Sequence, residues 1–257
     1  MMQLIDWSRF TAGAENLFSG TGSAMTIGVF DGVHCGHQAL IGRITGRGLQ
    51  PVIVTFTGTP KFFRHDWEGE IYSLDRKLAS FDQLGAVLTI LIDFSPNFSK
   101  LSGRDFIRIL RERGRLRFLA VGGNFRCGYR LDTDAVAIGA MNSEELQTEV
   151  LSPVFSGGSP VSSSRIRAAL GAGDLAAAAE LLGRNFDLDT SGLSPVPDRG
   201  GVLFDPGRRI SPLEGSYPVL VHERNGPSGG IKTEAVLKGA KIFIPFPCTP
   251  ERIEFLN

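Results

Sequence analysis

The sequence predicts an α/β protein, a doubly wound parallel sheet followed by a smaller antiparallel β domain. Three observations predict it. Short apolar runs alternate with segments of helical spacing from about residue 25 to residue 121. Two short helical segments then end at glycines. After Asn185 helical periodicity disappears and turn dipeptides crowd in. Alternating strand and helix signals are the mark of a parallel sheet with crossover helices, and short β runs between turns are the mark of antiparallel pairing.

The elements follow in order. Met25–Phe30 is a short apolar run that stops at Asp31-Gly32, a buried strand feeding a turn. Apolar residues at 40, 41 and 44 predict a helix from Gly36 to about Arg47. Pro51–Phe56 is β-branched and apolar, a second strand. Asp75 can cap a helix ending near Leu84, with Gly85 as its stop. Val87–Ile92 is a third buried strand. Ser102 and Asp105 resemble a capping box, followed by apolar 106, 107, 109 and 110 and then Gly114. Leu116–Val121 is a fourth strand. Ser164–Leu170 and Asp174–Leu182 read as helices with Gly171 and Gly183 as C-caps; Asp174 is the N-cap of the second. Beyond them, Ser194-Pro195, Pro197-Asp198, Gly200-Gly201, Asp205-Pro206-Gly207 and Asn225-Gly226 punctuate short β runs at Tyr217–Val221, Ala235–Leu237 and Lys241–Ile244.

Composition narrows the function classes. Lys+Arg and Asp+Glu are both 27, so the net charge is zero and charge gives no case for a nucleic acid or a membrane surface. A hydrophobic fraction of 42% against 21% charged excludes a disordered chain. No apolar run reaches the ~18 residues of a membrane-spanning helix, and no leader pattern opens the chain, so a soluble, cytoplasmic protein is expected. Cys35, Cys127 and Cys248 form no disulfide framework. The sequence carries no signal of oligomeric state.

The main chemical feature is Gly28-Val29-Phe30-Asp31-Gly32-Val33-His34-Cys35-Gly36-His37, which follows a strand and opens a helix. Ligands of open α/β sheets bind outside the carboxyl ends of the strands, and a helix start offers free N–H groups to an anion. Gly36 leaves room for a phosphate between His34 and His37, and each imidazole can donate a hydrogen bond. The same cluster admits a metal site, although no second Cys/His pair accompanies it, and a Cys35 nucleophile, although no base-and-orienter set does. Ser162-Ser163-Ser164-Arg165-Ile166-Arg167 puts three hydroxyls and two arginines at a helix start, a set suited to polyphosphate or to simple capping. Val121-Gly122-Gly123-Asn124-Phe125-Arg126-Cys127-Gly128 lies just past the fourth strand. There Asn124 can bond a phosphate or a metal-bound water, and Arg126 can neutralise phosphate. Phe56, Phe62, Phe63 and Phe125 are aromatics for a flavin ring or for the core.

Taken together, Gly28–His37, Val121–Gly128, Ser162–Arg167, Gly173-Asp174 and Leu181–Arg184 resemble the bacterial FAD synthetase family, the bifunctional riboflavin kinase/FMN adenylyltransferases. The resemblance covers roughly residues 20–190. It implies a Rossmann-like nucleotidyltransferase module that joins ATP to FMN with Mg²⁺, giving FAD and pyrophosphate. It further implies that His34 and His37 grip the ATP phosphates, that Ser163, Ser164 and Arg167 hold the outgoing pyrophosphate, and that Asn124 lies near the α-phosphate or Mg²⁺. Gly28, Phe30, Asp31, Gly32, Gly36, Gly122, Arg126, Ser162 and Phe56 complete the implied nucleotide and flavin contacts. No residue is assigned as a resident metal ligand.

The chain also departs from the family. Phe56-Thr57-Gly58-Thr59-Pro60 stands where the family carries Phe-acid-Pro-His-Pro on the flavin side. Cys127 stands in the family's Phe-Arg-Phe-Gly. No Gly-Phe-Pro-Thr-Ala-Asn segment occurs between residues 185 and 215, and no glutamate in a Val-Glu-x-His context follows. The expectation is an adenylyltransferase domain over 1–184 and a reduced, kinase-like β domain over 185–257 without riboflavin kinase activity. The alternative readings are a nucleotidyltransferase for another phosphorylated acceptor and a non-catalytic flavin- or nucleotide-binding protein.

Overall fold

A computed structural model of the protein describes residues 1–13, 17–18, 20–58, 69–93, 98–223, 226–227 and 229–257. Thr59, Pro60, Phe62, Phe63 and His65 lie outside the described residues. The chain divides into two compact units: Met1–Phe30, Gly36–Arg64 and Leu78–Val154 form one, and Asp31–Cys35, His65–Lys77 and Phe155–Asn257 form the other.

The first unit is built on a six-stranded parallel sheet. Its strands are β1 (Gln3–Asp6), β2 (Ser23–Ile27), β3 (Gln50–Phe56), β4 (Leu88–Ile92), β5 (Leu116–Gly122) and β8 (Gln147–Leu151), in the order β1-β4-β3-β2-β5-β8. The inner four are the four predicted strands. Their apolar runs are buried, with Met25, Ile27, Val52, Val54, Ile90, Leu119 and Val121 in one core. Parallel strands covered on both faces need such continuous runs. The two edge strands escaped prediction because they lack them: one residue of β1 and none of β8 is fully buried.

The helices are α1 (Trp7–Thr11), α2 (Cys35–Ile44), α3 (Leu74–Gln83), α4 (Gly103–Gly114) and α5 (Ala135–Gly139). A two-stranded ribbon, β6 (Arg126–Cys127) with β7 (Thr133–Asp134), follows β5. The capping box holds: Ser102 accepts the Asp105 N–H and donates to the Asp105 carboxylate at 2.7 Å. One predicted helix cap is displaced: the Ser73 hydroxyl, and not Asp75, accepts the Arg76 N–H at the start of α3. Helix α4 ends at Gly114, where the sequence placed it, and the left-handed residue that follows is Arg115, φ 48°. Gly114 is small for another reason, since a Cβ there would lie 2.4 Å from Met25 Cε.

The second unit contains a short hairpin, β9 (Phe155–Ser156) with β10 (Ser159–Pro160), and the helices α6 (Ser163–Gly171) and α7 (Leu175–Leu182). Asp174 caps α7 through the Ala177 N–H and Gly183 ends it at φ 74°, both as predicted. After α6 the left-handed position belongs to Gly173 and not to Gly171. The rest is a seven-stranded antiparallel sheet in the order β11-β17-β14-β15-β16-β13-β12. Its strands are β11 (Asp187–Asp189), β12 (Val196–Asp198), β13 (Gly201–Phe204), β14 (Gly215–Glu223), β15 (Ile231–Lys238), β16 (Lys241–Ile244) and β17 (Pro250–Phe255). Pro197-Asp198, read as a turn, forms edge strand β12, the place in a sheet where a proline costs no ladder bond. The turn is the next pair, Arg199 and Gly200, both at positive φ, as a two-residue hairpin requires.

Candidate functional site

In the six-stranded sheet β2 is followed in the chain by β3 on one side, and β5 by β8 on the other. The strand order therefore reverses between the neighbours β2 and β5, where open α/β sheets hold their ligands. Gly28 and Gly122 stand at the carboxyl ends of these two strands. A Cβ on Gly28 would lie 3.2 Å from the Phe30 ring, so a side chain there would displace that ring. Phe30 is buried with φ 53°, an uncommon conformation for a residue with a side chain. Its ring packs edge-on against His37 at 5.2 Å and against Phe81 at 5.5 Å, so Phe30 supports His37 from the core.

Beyond Gly122 the chain turns tightly, the Phe125 N–H donating to the Gly122 carbonyl at 2.9 Å, and this leaves Asn124 exposed at the turn. The unit thus gathers Gly28, His37, Gly122 and Asn124 around one switch point. Arg126 is exposed on the ribbon beside it. Phe56 and Phe125 pack half-buried against the apolar core, and the Phe56 ring meets Phe98 at 6.1 Å.

The second unit holds Asp31, Gly32, His34, Ser162, Ser163, Ser164 and Arg167. Ser162 caps α6 through the Arg165 N–H, and the Ser163 hydroxyl donates to the Asp31 carbonyl at 3.0 Å. Ser164 opens α6 beside them. Arg167 is buried. Its Nη2 pairs with Asp31 Oδ2 and its Nε donates to the Gly69 carbonyl at 2.8 Å. Asp31 Oδ1 accepts the N–H groups of Ile71 at 3.0 Å and Tyr72 at 3.3 Å. The pairing of Asp31 with Arg167 joins two motifs that lie far apart in the chain. It turns Asp31 from a ligand contact into the anchor of the histidine loop.

His34 is 6% exposed. Burial, with the nearby Arg184 cation adding to it, lowers its pKa to about 4. It is therefore a neutral hydrogen-bond donor near neutral pH, not a fixed charge. Glu70 is pushed above the usual carboxyl range by burial, and burial lowers the ammonium pKa of Lys77 against the pull of Asp31 and Glu70. Burial would raise the Asp187 pKa, but the hydrogen bonds and charge of Arg76 outweigh it and hold the carboxyl below its usual range. Cys35 Sγ donates to the Glu180 carbonyl at 3.6 Å. Among the described residues no group of three His, Cys, Asp or Glu side chains is placed to hold a metal ion.

Several polar residues went unread in the sequence. Tyr72, Arg76, Lys77, Asp187, Asp189, Arg209 and Arg252 lie in no recognisable spacing, and the partners of Asp187 are more than sixty residues away. Arg76 reaches Asp187 through two nitrogens, the shorter contact 2.7 Å, and Arg252 meets the same carboxylate at 3.2 Å. Asp189 accepts from Ser73 and lies 3.5 Å from Arg209. The one available signal was the Asp-x-Asp of β11, two acids on one face of a strand.

The family model described as FAD synthetase matches residues 19–165. A bifunctional riboflavin kinase/FMN adenylyltransferase of Escherichia coli K12 is 31% identical over 215 residues, covering 78% of this chain and 68% of that protein. A protein of the same description from Buchnera aphidicola is 28% identical over 174 residues, 65% of this chain and 56% of its own length. The chain thus spans between half and about two thirds of these relatives. A solved structure titled a macrolide-efflux protein from Streptococcus pneumoniae superposes with a TM-score of 0.81 at 19% identity, covering 99% of this chain and 89% of that one. That likeness speaks for the fold alone. No helix among the described residues is long and apolar enough to cross a membrane.

Proposed function

Because the chain belongs to the FAD synthetase family, we propose that it is an FMN adenylyltransferase, transferring the adenylyl group of ATP to FMN. The observation that carries the reading is the switch point between β2 and β5, with His37 and Asn124 at the carboxyl ends of the strands. An FMN phosphate oxygen attacks the α-phosphorus of ATP, the bond to the β-phosphate oxygen breaks, and pyrophosphate leaves. A phosphate monoester is largely ionised at pH 7, its second pKa being about 6, so the attack needs no general base. Catalysis then rests on positioning and on stabilising charge that moves to the departing oxygens.

We assign His34 and His37 to the ATP phosphates, His34 as a neutral donor because its pKa is about 4. Ser164, Ser163 and the remaining Nη1 of Arg167 receive the pyrophosphate. Asn124 is the group for the α-phosphate. Magnesium commonly enters on substrate phosphates with few protein ligands, so we assign the ion to ATP, with Asn124 near it. The antiparallel sheet is read as lacking riboflavin kinase activity, on the sequence departures in residues 185–215.

Chromatography of the flavin formed from FMN and Mg-ATP tests the reading. FAD with stoichiometric pyrophosphate is expected, and no FMN from riboflavin. ATP binding without FAD would move the reading to another phosphorylated acceptor, toward which the Thr57-Gly58 departure points. In the same assay, His37→Ala should lower turnover by about 10²-fold or more, the scale for one lost transition-state donor; near-normal turnover would remove His37 from the mechanism.

A further inference from the structure

The histidine loop is held in a conformation it would not keep alone. Val33, a β-branched residue, sits at φ 41°, and Gly32 beside it at φ 80°. Such backbone persists only where surrounding contacts over-determine it. The surrounding contacts converge on Arg184, the residue that follows the glycine stop of α7. Its Nη2 donates to the Gly32 carbonyl at 2.8 Å, and its Nη1 to the carbonyls of Val33 at 3.1 Å and Leu182 at 2.9 Å. Its Nε donates to the Tyr72 hydroxyl at 3.1 Å. Every nitrogen of this guanidinium is engaged, and the two loop carbonyls lie on either side of the strained peptide.

Tyr72 extends the chain of contacts. Its hydroxyl accepts from Arg184, and its own backbone N–H holds Asp31. Arg76 and Arg184 lie over its ring at 4.9 and 5.1 Å from the centroid. Asp187 is fixed in turn by Arg76 and Arg252. A series of contacts therefore runs from Asp187 on β11 through Arg76 to the Tyr72 ring, and from the Tyr72 hydroxyl through Arg184 to the carbonyls of Gly32 and Val33, next to His34.

We infer that Tyr72 is a positioning residue: its hydroxyl holds Arg184 and its ring lies against Arg76, the partner of Asp187, so that strand β11 of the antiparallel sheet frames the phosphate-binding loop. The sheet thereby has a role in adenylyl transfer that needs no kinase chemistry of its own. The functional part of this inference rests on the adenylyltransferase reading; the structural part does not.

The test uses the full chain with Tyr72→Phe, which removes one oxygen and keeps the ring. Amide hydrogen exchange over residues 32–35 should quicken by at least about tenfold, while β14 and β15 keep their protection. In the enzyme assay kcat should fall by about tenfold to a hundredfold, the worth of a hydrogen bond to a charged partner, with less change in the KM for FMN. The double variant Tyr72→Phe/Arg184→Gln should be no slower than Arg184→Gln alone, because both act through one contact. Unchanged exchange over 32–35, a uniform rise across the whole sheet, or additive effects in the double variant would each overturn the inference. If the wild-type chain makes no FAD, the adenylyltransferase reading fails, and the exchange measurement still decides the role of Tyr72.

Discussion

The two units of this molecule are stabilised by different physics. The parallel sheet is an apolar object, with Met25, Ile27, Val52, Val54, Ile90, Leu119 and Val121 filling one core and most of its ion pairs exposed. The second unit has an apolar sheet core as well, but it also buries ions: Arg167 with Asp31, Arg76 with Asp187, and Asp189 beside Arg209. Hydrophobic burial is non-directional and tolerates repacking, whereas a buried ion pair is stable only when its geometry and remaining hydrogen bonds are satisfied. The apolar unit supplies a rigid sheet end on which Gly28, His37 and Asn124 stand. The ionic unit fixes one strained loop to within a hydrogen-bond length.

The contrast can be broken by substitution. Arg167→Ala leaves the Asp31 carboxylate buried without its counter-ion, and a loss of about 3–5 kcal/mol is expected in urea unfolding. A loss below about 1 kcal/mol would show that the pair is dispensable, against the scale for exposed ion pairs. Ile90→Ala makes a cavity in the fully buried centre of β4 and should cost about 2–5 kcal/mol, insensitive to salt. Below the unfolding transition the KM for ATP should stay unchanged, because Ile90 lies on β4, two strands away from β2 at the switch point.

His34 sharpens the comparison through pH. Its folded pKa of about 4 lies below the ordinary 6.5, so the unfolded chain binds more protons between those values. The stability associated with the neutral imidazole is present above pH 6.5 and is lost as pH falls toward 4. The shift corresponds to about 3 kcal/mol, and His34→Gln should lose this part of the pH dependence when unfolding is compared at pH 7 and pH 4. Equal pH dependence in both proteins would place the histidine in a wetter site than its burial indicates. The smallest effect belongs to the surface of the apolar unit. Arg108→Ala removes exposed pairs with Asp105 and Glu112 and should shift the urea midpoint only slightly at low salt and not at all at high salt.

Much of this was legible in the residues. The four inner strands of the parallel sheet, the helices α2, α3, α4, α6 and α7, the capping box at Ser102 and the stop at Gly183 follow from local pattern, and they fall within a few residues of their expected bounds. The edge strands were not legible, because Gln3–Asp6 and Gln147–Leu151 present mixed surfaces whose pairing is chosen by a neighbour. In the candidate site, His34, His37, Asn124 and the Ser-Ser-Ser-Arg cluster could be named from residue type and spacing. That Arg167 would commit Nη2 to Asp31, and Arg184 both terminal nitrogens to loop carbonyls, could not.

By itself the sequence determined the class of fold, the order of the elements and the chemical types available for phosphate, because these depend on periodicity, caps and composition within a few residues. Only the tertiary structure decided which of those groups stand at a sheet end and which hold another side chain. Asp31 and Arg167 are 136 residues apart, and Tyr72 and Arg184 are 112 apart. Contacts of that separation carry no local signature. Their energy exists only after desolvation has brought the charges together, so it is a property of the folded chain and not of any segment of it.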